Sequence, residues 1–156
     1  LTSSELAIGN NAEMLLYQAA RAQLVEEVIA PALDAGEVVI SDRFLLANVV
    51  YQGHAGQLNP DDIWKVGAIA TQGIQPSLTI VLDVETDVAA KRRSGDPDRI
   101  EGRGDEFLNQ VRQGFIREAS RFPERICLVD ASRPADEVHT QICAAAEQVL
   151  SIKGQA

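Results

Sequence analysis

Glu37-Val38-Val39-Ile40-Ser41-Asp42-Arg43-Phe44 is the segment on which the fold turns: three consecutive β-branched residues run straight into an acid, a base and an aromatic ring. Such a run, with no polar alternation, suits a strand covered on both faces, as in a parallel α/β sheet. A strand over residues 38–42 is therefore predicted. Ligands of such sheets collect at the carboxyl ends of the strands. An Asp there can hold a hydrated Mg²⁺, and an adjacent Arg can fork onto phosphate oxygens, so the pair suggests phosphoryl chemistry. Against this stands a plainer reading, with Asp42 as a helix N-cap and Arg43 as a solvated or ion-paired residue.

At 156 residues and 46% hydrophobic content, the chain suits one domain, residues 1–156, with a substantial core. A net charge of -9 argues against a nucleic-acid or anionic-membrane partner, because either needs a basic field. No apolar stretch approaches the roughly 20 residues that span a bilayer, and no charged-then-apolar leader is seen, so a cytoplasmic protein is expected. The chain opens on Leu1 rather than Met, and a missing amino-terminal segment is expected. Cys127 in a predicted strand and Cys143 in a predicted helix are expected to be reduced core residues without a histidine at ligand spacing. His54 and His139 are expected to be isolated surface residues.

Outward from the opening segment, the pattern alternates helix and strand. A helix is predicted over residues 11–35, with Leu15, Ala19, Ala22, Ile29 and Leu33 on one stripe and Met14, Val25 and Val28 widening it, a face broad enough to be buried on two sides. Pro31 should disturb its last turns and Gly36 should stop it. After Asn59-Pro60-Asp61-Asp62 a helix runs to about residue 73. A second buried strand is predicted over 78–83, a helix opening at Thr86, a mobile loop over 92–104, a helix over 106–121, a strand over 126–129 and a last helix from Pro134 to about residue 152. This order calls for a parallel sheet with right-handed crossovers, and three strands are few for a sheet covered on both faces.

Several groups could carry chemistry. Tyr17 and Arg21 are four apart and share a helix face, so a base could stack on one and hydrogen-bond the other, or the pair could be ordinary packing. Asn48 and Tyr51, with Gln52 beside them, could read a sugar or base or simply be a satisfied polar helix end. The loop carries Lys91, Arg92, Arg93, Arg99 and Arg103 in a chain with only 14 basic residues. It is either a lid closing on phosphates or a self-paired loop, since Asp96, Asp98 and Glu101 are interleaved. Asp83 and Asp130 end strands and are expected to make capping or loop hydrogen bonds. No GxSxG, HExxH, GxGxxG or CxxC pattern occurs.

Taken in order, these motifs resemble bacterial thymidylate kinases. Glu13-Met14-Leu15-Leu16-Tyr17-Gln18-Ala19-Ala20-Arg21 is similar to the family's thymine-binding helix. Asp42-Arg43-Phe44 is similar to its Asp-Arg-Tyr motif, Tyr51-Gln52-Gly53 to the segment downstream and Asp98-Arg99-Ile100-Glu101 to its lid signature. The resemblance implies an α/β fold of the P-loop nucleoside monophosphate kinase kind, a three-layer parallel sheet with helices on both faces. It also implies transfer of phosphate from ATP to dTMP, in a homodimer. By the same resemblance Tyr17 stacks on thymine, Arg21 bonds the base edge and Arg43 the monophosphate, while Asn48, Tyr51 and Gln52 line the pocket. Asp42 sits by the Mg²⁺ hydration shell, and Arg92, Arg93 and Arg99 close over the ATP phosphates. Phe44 stands where the family has Tyr, which removes a secondary contact.

One departure is larger. The family's GxxxxGK[ST] loop and the strand before it, which lies between the two strands 38–42 and 78–83, are not in these 156 residues. The chain thus reads as a carboxyl-terminal portion, expected to be inactive alone. A deoxynucleoside kinase, which usually carries Glu-Arg-Ser in place of Asp-Arg-Phe, and a non-catalytic nucleotide-binding or dimerising module are the alternatives.

Overall fold

The computed structural model describes residues 8–92 and 101–153, apart from the side chains of residues 101, 152 and 153. They fall into two compact units, Leu1–Gln75 and Pro76–Ala156.

In the first unit α1 (Asn10–Leu24) runs through a π-helical turn (Val25–Ile29) into α2 (Ala30–Asp34). Pro31 has no N–H to give and its ring crowds the preceding turn, and the helix is widened just ahead of it. Gly36 ends the run as predicted: its φ is +79°, its N–H donates to the Leu33 carbonyl at 3.0 Å, and Glu37 N–H reaches back to Ala32 at 2.9 Å. This double bond is the usual glycine stop. Of the predicted apolar stripe only part is buried. Met14, Val25 and Ile29 face the core, while Leu15, Leu16, Leu24, Val28 and Leu33 are exposed. Burial of this helix on two sides is therefore not seen within the unit.

The predicted strand over residues 38–42 is a correction. These residues enter no ladder among the described residues, and Val38 and Ile40 are 72% and 93% exposed. A strand exists only through hydrogen bonds to a neighbour, and propensity alone cannot supply one. After a bend at Asp42 and Arg43 come α3 (Leu45–Asn48), a second π-helical turn (Val49–His54) and α4 (Pro60–Ala70). Asn59 caps α4 by accepting the Asp61 N–H at 2.9 Å, and Pro60 occupies its first turn. Met14, Val49 and Ile63 form the core, flanked by Leu58, Trp64 and Val66. Full burial of each such side chain contributes about 1.5–3 kcal/mol. Gly67 lets α4 close on α3, since a Cβ there would run into the Leu45 side chain.

The second unit holds the sheet. Here β1 (Thr79–Asp83) and β2 (Ile126–Asp130) pair in parallel, from Thr79 against Ile126 to Asp83 against Asp130. Both were legible as short apolar runs, Leu78-Thr79-Ile80-Val81-Leu82 and Ile126-Cys127-Leu128-Val129. Between them lie α5 (Thr86–Arg92), a 3-10 turn (Glu101–Arg103) and α6 (Asp105–Arg121), and α7 (Ala135–Lys153) follows β2. Helix α6 packs on both strands and α7 on β2. Val81, Ile126 and Val129 are buried, whereas Leu82 and Leu128 are exposed. No helix among the described residues is long and apolar enough to cross a membrane.

Candidate active site

In the first unit, α1, the bend after residue 41 and the helical run from Leu45 carry Tyr17, Arg21, Asp42, Arg43, Asn48, Tyr51 and Gln52. Arg21 donates through Nη1 to Gln18 Oε1 at 2.7 Å and through Nη2 to the Phe44 carbonyl at 3.1 Å, and its guanidinium lies 5.3 Å from the Phe44 ring centroid. Burial pushes Arg21 down to about 10, so it stays cationic at neutral pH while paying a desolvation cost that a ligand carbonyl or anion would relieve. Arg43 stands over the Tyr51 ring at 5.3 Å. Its φ of +66° is a conformation that non-glycine residues adopt at a cost of about 1–3 kcal/mol, and Ser41 Oγ fixes it by donating to the Arg43 carbonyl at 2.8 Å. Tyr17 is half-buried one turn before Arg21.

Asp42 is exposed and does not cap α3, whose N-cap residue is Phe44. The capping reading of Asp42 is thereby excluded. Among the described residues no three His, Cys, Asp or Glu side chains gather as a metal site. One exposed carboxylate nevertheless fits Mg²⁺, which keeps most of its waters and takes its remaining ligands from phosphates.

Asn48 and Gln52 are buried and joined: Asn48 Nδ2 donates to Gln52 Oε1 at 2.9 Å, and Gln52 Nε2 donates to Glu13 Oε2 at 3.2 Å. Two buried atoms of this region lack a hydrogen-bond partner, Asn48 Oδ1 and Gln18 Nε2. The π-helical turn positions Tyr51 and Gln52, and such turns recur at functional sites. Gly56 closes it: a Cβ there would meet Gln52 O at 2.5 Å and Tyr51 O at 2.8 Å, and the Gly56 carbonyl accepts from Asn10 Nδ2 at 2.6 Å. Sequence reasoning singled out neither Glu13 nor Gln18, which the structure sets against Gln52 and Arg21. The signal was the Gln18–Arg21 spacing of three, which sets an amide beside a guanidinium.

In the second unit Asp83 is gripped by Arg112, with Nε to Oδ1 at 2.7 Å and Nη2 to Oδ2 at 2.9 Å, and Arg112 Nη1 also pairs with Glu85. The hydrogen bonds it donates to Asp83 and Glu85 hold the Arg112 guanidinium above its ordinary pKa. Asp83 is thus half of a bidentate ion pair rather than a cap. Asp130 makes the expected loop bonds, accepting from Ser132 N–H at 2.9 Å and Ser132 Oγ at 2.5 Å, which lower its pKa. Arg92 donates to the Ala131 and Ser132 carbonyls at 2.7 and 3.1 Å. Arg93 and Arg99 lie outside the described residues.

Two expectations about the remaining groups change. His139 is not isolated, for its Nε2 lies 3.4 Å from Cys143 Sγ one helical turn on, and both cysteines are only partly buried. The four-residue spacing carried that signal. His54 is half-buried at the end of its π-helical turn instead of lying on the surface.

A solved structure of thymidylate kinase from Ehrlichia chaffeensis superposes with a TM-score of 0.71 at 22% identity, covering 92% of this chain and 67% of that one. The fold is therefore that of the α/β nucleoside monophosphate kinases of the P-loop class. The thymidylate kinase family model matches residues 2–142. The thymidylate kinase of Caldanaerobacter subterraneus is 45% identical over 139 residues, 88% of this chain and 67% of the relative, and that of Rhodopirellula baltica 38% over 144 residues, 92% and 59%. The chain belongs to the thymidylate kinase family. It spans between 59% and 67% of the length of these two relatives.

Proposed function

We propose that the protein carrying this chain phosphorylates dTMP with ATP. An oxygen of the dTMP phosphate attacks the γ-phosphorus, a P–O bond forms there, the bond to the β,γ-bridging oxygen breaks, and dTDP and ADP leave. What supports the reading is the convergence of Arg21 with Phe44 and of Arg43 with Tyr51 beside a buried amide pair, all within one unit. Tyr17 offers a stacking plate and Arg21 two kinds of donor to a base edge. Arg43 supplies charge to the monophosphate, and Asn48, Tyr51 and Gln52 line the nucleoside pocket. Mg²⁺, held through water by Asp42, would supply charge neutralisation between the phosphates. Arg92, Arg93 and Arg99 are assigned to a lid of about residues 92–104 over the ATP phosphates, Arg92 standing at the end of α5. Catalysis is then mostly positioning and charge stabilisation. The protein acts as a cytoplasmic homodimer, the whole of residues 1–156 being part of one kinase domain.

A coupled ADP-release assay on the full-length protein tests this. Turnover dependent on dTMP is expected, with the 156 residues alone silent because they hold no GxxxxGK[ST] cradle. Equal turnover with CMP or AMP, or faster turnover with thymidine than with dTMP, overturns the reading.

A further inference from the structure

The second unit carries a nucleophile that the nucleotide chemistry leaves unused. Cys143 lies near the middle of α7, and His139, one turn before it, sets Nε2 3.4 Å and Nδ1 4.0 Å from Cys143 Sγ. In the tautomer with its proton on Nδ1, the nearer nitrogen accepts the S–H. Cys127, on β2, is also partly buried but shows no imidazole partner among the described residues. A difference in reactivity between the two thiols therefore falls to the histidine rather than to access. Asp136 lies three residues before His139 and Glu147 four after Cys143, so all four share one face of the helix, and both acids are exposed. This face attracts an approaching cation and repels an anion.

We infer that Cys143 is a site of reversible thiol–disulfide exchange with small cationic disulfides, His139 serving as the base that takes its proton. The thiolate is the nucleophile in such exchange, and an adjoining base generates it at the moment of attack. Nε2 takes the S–H proton as Sγ attacks one sulfur of a disulfide R–S–S–R. A new S–S bond forms, the old one breaks, and the imidazolium hands its proton to the leaving thiolate. Cys143 is oxidised to the mixed disulfide while the incoming disulfide is reduced to one thiol, so no further oxidant is needed. A second thiol reverses the step by attacking the same bond. This exchange is independent of the phosphate chemistry of the first unit.

Full-length protein incubated with cystamine at neutral pH, quenched at intervals and mapped by peptide mass spectrometry, gives the rate of mixed-disulfide formation at each cysteine. Cys143 should react about tenfold faster than Cys127, or more. His139→Ala should remove about tenfold of the Cys143 rate while the Cys127 rate holds, a pattern that a general loosening of the fold would not produce. His139 is exposed, so the variant should fold, and the comparison of the two cysteines needs no variant at all. Cystamine should outpace the anionic glutathione disulfide at Cys143, and the margin should shrink in about 1 M salt, which screens the acidic face. Equal rates at the two cysteines overturn the proposal, as does a Cys143 rate unmoved by His139→Ala. Glutathione disulfide reacting the faster, or a margin that salt leaves unchanged, overturns the cationic partner.

Discussion

Arg43 shows how much one residue can be asked to do. Its guanidinium is spread over Tyr51 while its backbone sits at φ +66°, a region where a β-carbon is a liability. The side chain is therefore retained against its backbone preference. Arg43→Gly removes the function and the strain together: turnover with dTMP should fall by two orders of magnitude or more, while the thermal midpoint should hold or rise, since relief is worth about 1 kcal/mol. Steady-state kinetics and calorimetry on one preparation check both, and a midpoint that falls with activity contradicts the account. Nothing in the sequence marks this strain, because Arg is not a residue that announces a left-handed turn. The placement of Arg43 beside Tyr51, by contrast, was legible, as was that of Asn48 beside Gln52, because base and amide occur at helical spacings around an aromatic ring.

At the scale of elements, β1 and β2 and the helices around them follow from short apolar runs and acidic helix starts, which encode local preference directly. Residues 38–42 carry an equally strong run and form no strand, because pairing is a property of two segments. The π-helical turns were illegible for a different reason: one inserted residue leaves the apolar period almost unchanged over so short a span. Their support is nevertheless testable. Gly56→Ala drives a methyl into the backbone carbonyls of Gln52 and Tyr51, atoms that cannot swing aside. It should cost about 1–3 kcal/mol by urea unfolding and raise the KM for dTMP more than it lowers kcat, because the pocket wall moves rather than the phosphates. A neutral substitution would show that the turn is not held this tightly.

Considered as a whole molecule, the chain exposes Leu16, Leu24 and Val28 along one side of its longest helical run while it buries Met14, Val25 and Ile29 on the other. An apolar side of this extent, in a chain of net charge -9, fits the self-association proposed above, since only a matching apolar surface offsets the acidic repulsion between copies. Val28→Glu should shift the protein from dimer to monomer in light scattering after size exclusion, with its far-UV dichroism retained. A monomeric parent protein would rule out the dimer.

The bare segment at Val38 and Ile40 has its own consequence for handling. Apolar residues that enter no ladder among the described residues, with 72% and 93% of their surface open, are a template onto which a second chain can add backbone to backbone. Concentrated preparations of these 156 residues should therefore thicken into thioflavin-positive fibres, seeded from the very stretch that reads most clearly as an interior strand.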